Sequence, residues 1–464
     1  MSACMSLGDQ IKPEPAEGPN VVLIFTDDQG YRDLGSFGSP DINSPNLDKM
    51  AEEGVKLSSF YVAQAVCSAS RAAILTGCYP SRIGIHNALM PDSKTGLHPQ
   101  ETTLAEMLKS RGYATAIYGK WHLGDQPEFM PLDQGFDEFF GIPYSNDMWP
   151  FHPQQGKDFN FGPLPLYENR AVIDTLTDQA LLTTRITERS VDFINRNKDR
   201  PFFLYVAHPQ PHVPLFVSDK FRGRSKAGLY GDVIMEIDWS VGEILEALKQ
   251  NNIDRKTIMI FTSDNGPWEV YGNHAGDAFP FREGKGTVWE GGTREPFIIR
   301  YPEMLKGGIT IDAPVMAIDL LPTIAEITGS ELPQRTIDGK SAWKLLRGEE
   351  SGSPQEAYFF YSGGNELQGV RYGRWKLYFP HRYRTMEGQQ AGRDGTPGEY
   401  NYVDLKEVAL YDVVADKGET RNVAGAHPKV VKKIEQLASR MRSRLGDTLT
   451  GIKGAEHREA GYIP

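Results

Sequence analysis

Two segments far apart in the chain end almost alike: Ile24-Phe25-Thr26-Asp27-Asp28-Gln29-Gly30 and Ile260-Phe261-Thr262-Ser263-Asp264-Asn265-Gly266. Each closes a run of apolar, β-branched and aromatic residues, 20–26 and 257–262, that lacks the polar alternation of a solvent-facing strand. Continuous runs of this kind belong in a sheet covered on both faces, which means parallel strands joined by helices. In an open parallel sheet ligands bind beyond the carboxyl ends of the strands, so both acidic tips project to one edge. Three carboxylates and an amide gathered there repel one another unless a hard cation sits between them. Oxygen donors without Cys or His suit Ca²⁺ or Mg²⁺ rather than Zn²⁺. Either tip alone would read as an ordinary strand-end turn. The repetition favours a metal site at Asp27, Asp28, Asp264 and Asn265.

The rest of the chain alternates apolar runs with amphipathic segments, which predicts an α/β fold with a large, mostly parallel central sheet flanked by helices. Thr103-Leu-Ala-Glu106 reads as a capping box opening a helix that stops at Gly112. A strand over 113–118 then leads into Gly119-Lys120-Trp121-His122. Helices are expected over 173–195 and 233–250, with a strand at 202–207 between them. Residues 142–167, rich in Pro, Phe and Gly, read as an ordered insertion packed through Trp149, Phe151 and Phe161. The polar stretch 348–354 separates residues 19–346 from a C-terminal part, 355–464. Short strands at 357–361, 369–372, 376–379 and 409–414 and a basic helix from about Pro428 give that part the pattern of a small α+β subdomain with an antiparallel sheet. Residues 1–18 read as a disordered leader without a signal-peptide core.

With 61 acidic against 50 basic residues, the net charge is −11, which disfavours nucleic acid and anionic membranes as partners. Any anionic substrate must therefore be captured by a local cluster of cations. Cys4, Cys67 and Cys78 are too few, and odd in number, for a disulfide framework. Cys78 reads as a small buried hydrophobe. No N-x-S/T acceptor occurs in the chain.

Cys67-Ser68-Ala69-Ser70-Arg71 stands where the β-like run 55–62 gives way to a helix start. A sulfur side chain and a fixed cation at a helix N-terminus meet free N–H groups that already attract anions. Lys120 follows Gly119, and Lys285 sits between Gly284 and Gly286, where the backbone can approach a ligand closely. Taken singly, both lysines would read as solvated surface charges. His122, His208, His212 and His274 accompany these motifs, and imidazole can move a proton near neutrality. A metal pair from His208 and His212 is disfavoured, because the intervening prolines prevent a helix that would align them. His152, His381, His427 and His457 read as loop histidines that merely hydrogen-bond.

In order along residues 20–338, the chain carries N-V-V-L-I-F-T-D-D, C-S-A-S-R-x4-T-G, Y-G-K-W-H-L-G, G-I-P-Y-S-N-D, P-H-V-P, F-T-S-D-N-G and G-K-G-T-x2-E-G-G-x-R-E-P. This set resembles the sulfatase family, arylsulfatase A-like, within the alkaline phosphatase superfamily. The tail segments Gly369-Val-Arg371, Trp375-Lys376-Leu377 and Leu410-Tyr411-Asp412 fit the same resemblance. It implies an alkaline phosphatase-like central sheet, mostly parallel or mixed, and hydrolysis of sulfate esters. It also implies that Cys67 is converted by a maturation enzyme to formylglycine, whose hydrate is the nucleophile. By the same resemblance Ca²⁺ is held by Asp27, Asp28, Asp264, Asn265 and the modified Cys67. Arg71 would fix the hydrate, and His122 would act on its second hydroxyl. Lys120, Ser145, His212 and Lys285 would grip the sulfate or assist the leaving oxygen. Ala69 stands where many relatives have proline, which leaves open the maturation system that acts here.

The resemblance implies a periplasmic or extracellular protein; the sequence leaves a cytoplasmic location and the oligomeric state open. Trp149, His152, Trp268, Tyr271, His274 and Arg282 lie in loops beside the motifs, where aromatic rings suit stacking on sugars or packing of the insertion. A sulfated saccharide is the expected substrate, with aryl sulfates as surrogates. The alternatives are a phosphonate or phosphate monoester hydrolase of the same superfamily, or an inactive carbohydrate-binding relative if Cys67 is not matured.

Overall fold

The computed structural model describes residues 18–464, so the leader expectation for 1–17 lies outside the described residues. Strand β1 (Asn20–Thr26) is buried at all seven positions. Val21, Leu23 and Phe25 enter one apolar layer and Val22 and Ile24 the other, as a strand covered on both faces requires. It runs through the middle of an eleven-stranded sheet. The other main strands are β2 (Val55–Tyr61), β3 (Ala114–Lys120), β4 (Glu138–Ile142), β5 (Leu164–Glu168), β6 (Ala171–Leu176), β7 (Phe202–Ala207), β8 (Thr257–Ser263), β9 (Arg294–Arg300) and β10 (Ile309–Ile311). Their order across the sheet is β10-β2-β9-β8-β1-β7-β3-β4-β5-β6, with Val315–Met316 also paired to β2. Strands β8, β1, β7, β3 and β4 are mutually parallel. On one side β9 runs antiparallel between β8 and β2, and on the other the β5–β6 hairpin closes the edge. The sheet is thus mixed, with a parallel centre.

Helix α1 (Cys67–Thr76) is buried throughout and ends at Gly77, whose φ of 69° lets its N–H reach Ala73 O. Helix α2 (Leu104–Ser110) has the expected capping box: Glu106 N donates to Thr103 Oγ1 at 3.1 Å, and Thr103 N donates to Glu106 Oε2 at 2.7 Å. The helix expected over 173–195 is corrected. Residues 171–176 are strand β6, and α3 (Leu182–Asn197) begins only after it. Asn169, at φ 55°, turns the chain back so that 171–176 pair with β5, a tertiary constraint that overrides helical periodicity. Helix α4 (Gly228–Gln250) covers the same layer and starts earlier than 233. Residues 142–167 are ordered, with Trp149 packed on Phe151 and Phe216, and they finish in β5.

The C-terminal part forms its own antiparallel sheet from β11 (Tyr358–Ser362), β12 (Glu366–Tyr372), β13 (Trp375–Tyr378) and β16 (Ala409–Asp412). Helix α5 (Pro428–Leu445) packs on it. A separate hairpin, β14 (His381–Thr385) with β15 (Asn401–Leu405), had no expectation from the sequence. The last residues return to the large sheet's side of the molecule, where Gly461–Tyr462 pairs with Thr95–Gly96. Among the described residues no helix is long and apolar enough to cross a membrane.

The two sheets are joined through Glu290, fully buried at the start of the short helix Glu290–Thr293. Its carboxylate accepts from Tyr61 Oη at 2.7 Å, Arg294 Nη1 at 3.0 Å and Lys376 Nζ at 2.9 Å. Its own N–H donates to Glu419 Oε2 at 3.0 Å. Removing one member of a buried ion network leaves the others charged and unpaired. Glu290→Ala is therefore expected to cost about 3–5 kcal/mol, read as a lowered urea midpoint; an unchanged midpoint would show that the network contributes nothing.

Candidate active site

Strands β1 and β8 run side by side with Phe25 opposite Thr262 and Thr26 opposite Ser263. The two acidic tips therefore leave the sheet together, as their repeated sequence implies. Asp28 N donates to Asp264 Oδ1 at 3.2 Å, and Asn265 Nδ2 donates to Asp28 Oδ1 at 2.7 Å. One oxygen from each of Asp27, Asp28 and Asp264 lies within 4.8 Å of the others, and all three residues are buried.

Three cations face these three carboxylates. Arg71, one turn into α1, donates to Asp264 Oδ2 from Nε (3.1 Å) and Nη2 (2.9 Å) and to Asp27 Oδ2 from Nη2 (3.1 Å). Lys120 ends β3 and donates to Asp27 Oδ2 and, at 3.1 Å, to Ser145 Oγ. Gly119 makes that approach possible: with φ 123°, a Cβ there would stand 1.9 Å from Ala207 O on β7. Lys285 Nζ lies 2.7 Å from Asp28 Oδ1 and 3.7 Å from Cys67 Sγ. Cys67 itself is the buried first residue of α1. His212 brings Nε2 to 3.5 Å from Asp28 Oδ2. His122 Nε2 lies 3.0 Å from Leu89 O, so in the neutral ring it donates there and leaves Nδ1 as a lone pair without a partner among the described residues.

The electrostatics follow from burial against these charges. Burial raises the Asp27 carboxyl, but Lys120, His212, Arg71 and Lys285 together hold it well below the usual carboxylate range. Burial and the neighbouring Asp27 push Asp264 up. Burial pushes the Cys67 thiol up to about 11 against the pull of Lys120 and Lys285, so the unmodified side chain is a thiol at neutral pH. Burial, Lys120 and Arg71 hold His122 well below the usual imidazole range, which keeps it neutral.

The donors fit a hard divalent cation. Asp27 Oδ1 and Asn265 Oδ1 are buried and accept no hydrogen bond among the described residues, although both abut the carboxylate cluster. Buried oxygens of this kind are normally satisfied, and oxygen ligands are what Ca²⁺ or Mg²⁺ takes.

A cavity of about 430 Å³ opens over the cluster, with Cys67, His122, Ser145, His212 and Lys285 in its lining. Of the loop residues suited either to sugar stacking or to packing, His152 and Trp268 line it. Trp149 and Tyr271 are buried in packing, Arg282 stacks on Trp289 with its Cζ 4.0 Å from the ring centroid, and His274 lies outside the lining. Asp147, Phe159 and Arg384 also line the cavity without having been expected there, as does Phe161, read from the sequence as a packing residue of the insertion. The two phenylalanines lie in the aperiodic Phe-rich stretch, and Arg384 comes from the unforeseen β14 hairpin.

Residues 19–330 match the sulfatase family, and 353–457 match the C-terminal region of aryl-sulfatase. Human arylsulfatase A is 39% identical over 448 residues, covering 91% of this chain and 87% of that protein. Dog N-acetylgalactosamine-6-sulfatase is 39% identical over 411 residues, covering 85% and 77% respectively. A sulfatase structure from Pseudoalteromonas sp. matches with TM-score 0.80 at 26% identity, covering 92% of this chain and 91% of that one. A structure in complex with k-i-k-neocarrahexaose matches with TM-score 0.76 at 28% identity, covering 91% and 93%. A phosphonate monoester hydrolase of Agrobacterium radiobacter, at 19% identity and TM-score 0.63, shares the fold. The fold and site define an alkaline phosphatase-like hydrolase. The chain belongs to the sulfatase family, and it is a sulfuric ester hydrolase.

His208, at the end of β7, is fully buried, and among the described residues neither ring nitrogen has a partner. Burial lowers its pKa to about 4, while an unfolded imidazole binds its proton near 6.5. Between those values the unfolded state holds more protons, so stability falls as the pH drops from 6.5 to 4 and levels off below. The loss is on the order of 3 kcal/mol. Thermal midpoints across this window are expected to fall more steeply for the wild type than for His208→Leu; equal slopes would assign the acid sensitivity elsewhere.

Proposed function

We propose that this sulfatase hydrolyses sulfate esters of saccharides, with aryl sulfates as surrogates, using formylglycine at position 67 and a bound Ca²⁺. The observation that carries the reading is a buried cluster of three carboxylates and three cations directly beneath a cavity that Cys67 and Lys285 line. A buried thiol with its pKa near 11 is a poor nucleophile at neutral pH, which supports conversion of the side chain before catalysis. Formylglycine at this position would supply a hydrated aldehyde, one hydroxyl to attack sulfur and a second through which the residue is regenerated. A divalent cation held by Asp27, Asp28, Asp264, Asn265 and side chain 67 would supply Lewis acidity toward the sulfate oxygens.

The chain's own groups account for the rest. Arg71, locked onto Asp27 and Asp264, holds a fixed positive charge beside position 67. Ser145 and Lys285, which line the cavity, bind and orient the sulfate oxygens, with Lys120 bonded to Ser145 from beneath. Trp268 lies over Lys285, with Nζ 4.5 Å from the ring centroid, a cation–π contact that helps hold the ammonium in place. His212 faces the cavity and can donate a proton to the departing alcohol oxygen. His122, neutral and with Nδ1 unpartnered among the described residues, is suited to accept a proton from side chain 67. Residues 19–346 would form the catalytic domain, and 355–464 a subdomain that walls the cleft.

A saccharide is favoured by the names of relatives, among them N-acetylgalactosamine-6-sulfatase, and by the similar structure that holds a neocarrahexaose. His152, Phe159, Phe161 and Trp268 give the cavity ring surfaces against which a sugar can pack. Protein expressed with and without a formylglycine-generating enzyme tests the proposal by intact mass and by turnover of p-nitrophenyl sulfate. Activity is expected to track the fraction of Cys67 converted to the aldehyde, to exceed that on p-nitrophenyl phosphate, and to fall at least about 10³-fold in Cys67→Ala. Full activity from protein carrying the intact thiol would overturn it.

A further inference from the structure

A second cavity, of about 350 Å³, adjoins the active-site cavity and shares Gly286, Ser362 and Arg384 with it. Its remaining wall includes Gln368, Arg382 and Tyr402, so it is built largely by the C-terminal hairpin β14–β15. In the hairpin register Arg384 stands opposite Tyr402 and Arg382 opposite Asp404, all on the outward face, while His381, Tyr383 and Thr385 turn inward and are buried. This face carries two guanidinium groups in a protein whose net charge is −11.

The two arginines are held differently. Arg384 donates from Nε, at 3.0 Å, and from Nη2 to the backbone carbonyl of Lys285, and its Cζ lies 4.5 Å from the Tyr400 ring centroid. Gly286 leaves room for it: with φ 78°, a Cβ there would stand 2.4 Å from Arg384 Nη2. Arg382 is exposed, stacks with its Cζ 4.9 Å from the Tyr402 ring centroid, and among the described residues makes no ion pair or hydrogen bond. Asp404, though opposite in register, does not reach it within ion-pair distance among the described residues. A planar guanidinium held on an aromatic face with its fork open is suited to bidentate recognition of an oxyanion.

We propose that this hairpin face is a distal subsite for a second anionic group, a sulfate or carboxylate, further along the same saccharide whose ester is cleaved over Cys67. The inference rests on the sulfatase reading above and names its substrate class: a polyanionic oligosaccharide rather than a singly sulfated small molecule. Arg382 is the principal anion ligand, and Tyr402 offers its ring to the sugar. Arg384 is a positioning residue that fixes the Lys285 loop between the two cavities.

Direct binding tests this without requiring conversion of Cys67. Titration calorimetry on the full chain compares polysulfated maltohexaose with a monosulfated glucose, and the ratio of the two Kd values removes effects confined to the cleft. The wild type is expected to bind the hexaose at least about a hundredfold more tightly. Arg382→Gln should reduce that ratio about tenfold, Arg382→Lys should restore part of it, and Arg111→Gln, at an exposed residue outside both cavities, should leave it intact. A hexaose bound no more tightly than the monosaccharide, or equal losses from Arg382→Gln and Arg111→Gln, would overturn the subsite. Sulfate release from converted protein is measured separately: binding with the expected ratio but no release supports the subsite while refuting saccharide hydrolysis.

Discussion

The structure depends on charge cancellation at the sheet's carboxyl edge. Asp27, Asp28 and Asp264 are buried against Arg71, Lys120 and Lys285, three charges of each sign. Isolated, any one of them would be too costly to desolvate; together they form a cluster that the fold can bury. Neutrality also makes the cluster responsive. A divalent cation among the carboxylates would leave the lysines without their anions and the floor with surplus positive charge, which a sulfate ester's oxygens would offset. The same side chains can thus hold the edge together and prepare it for an anion.

The geometry that brings the cluster together is simple for the acids and elaborate for the cations. Asp27/Asp28 and Asp264/Asn265 need only adjacent parallel strands in register. Arg71 needs α1 to start at that edge, Lys120 needs a glycine where β3 crowds β7, and Lys285 needs a loop fastened from behind. That fastening comes from the C-terminal part, through Glu290 with Lys376 and through Arg384 on the Lys285 carbonyl. The smaller sheet therefore bears directly on the active site.

What the sequence made legible follows the same division. The repeated strand ends, the capping box at Thr103 and the buried β1 run carry strong local signals, and the parallel centre of the sheet follows from them. The Cys67 pentad and the glycine-flanked Lys285 carry local signals too: Cys67 and Lys285 line one cavity, and Arg71 lies buried beside them on Asp27 and Asp264. Residues 173–176 carry a helical pattern in sequence, whereas their strand character exists only through pairing with β5. For Trp149 and Tyr271 the sequence leaves sugar stacking and packing equally open, and both are buried in packing. Arg384 and Arg382 gave no signal, since their importance lies in where a hairpin from another sheet comes to rest.

The most direct test of the charge-cluster account is long-wavelength anomalous diffraction from crystals grown in calcium. The expected result is one peak enclosed by Asp27, Asp28, Asp264 and Asn265, with the Lys120 and Lys285 ammonium groups drawn away from Asp27 and Asp28. A cluster that stays closed on its lysines at saturating calcium, with no peak among those four side chains, would contradict it.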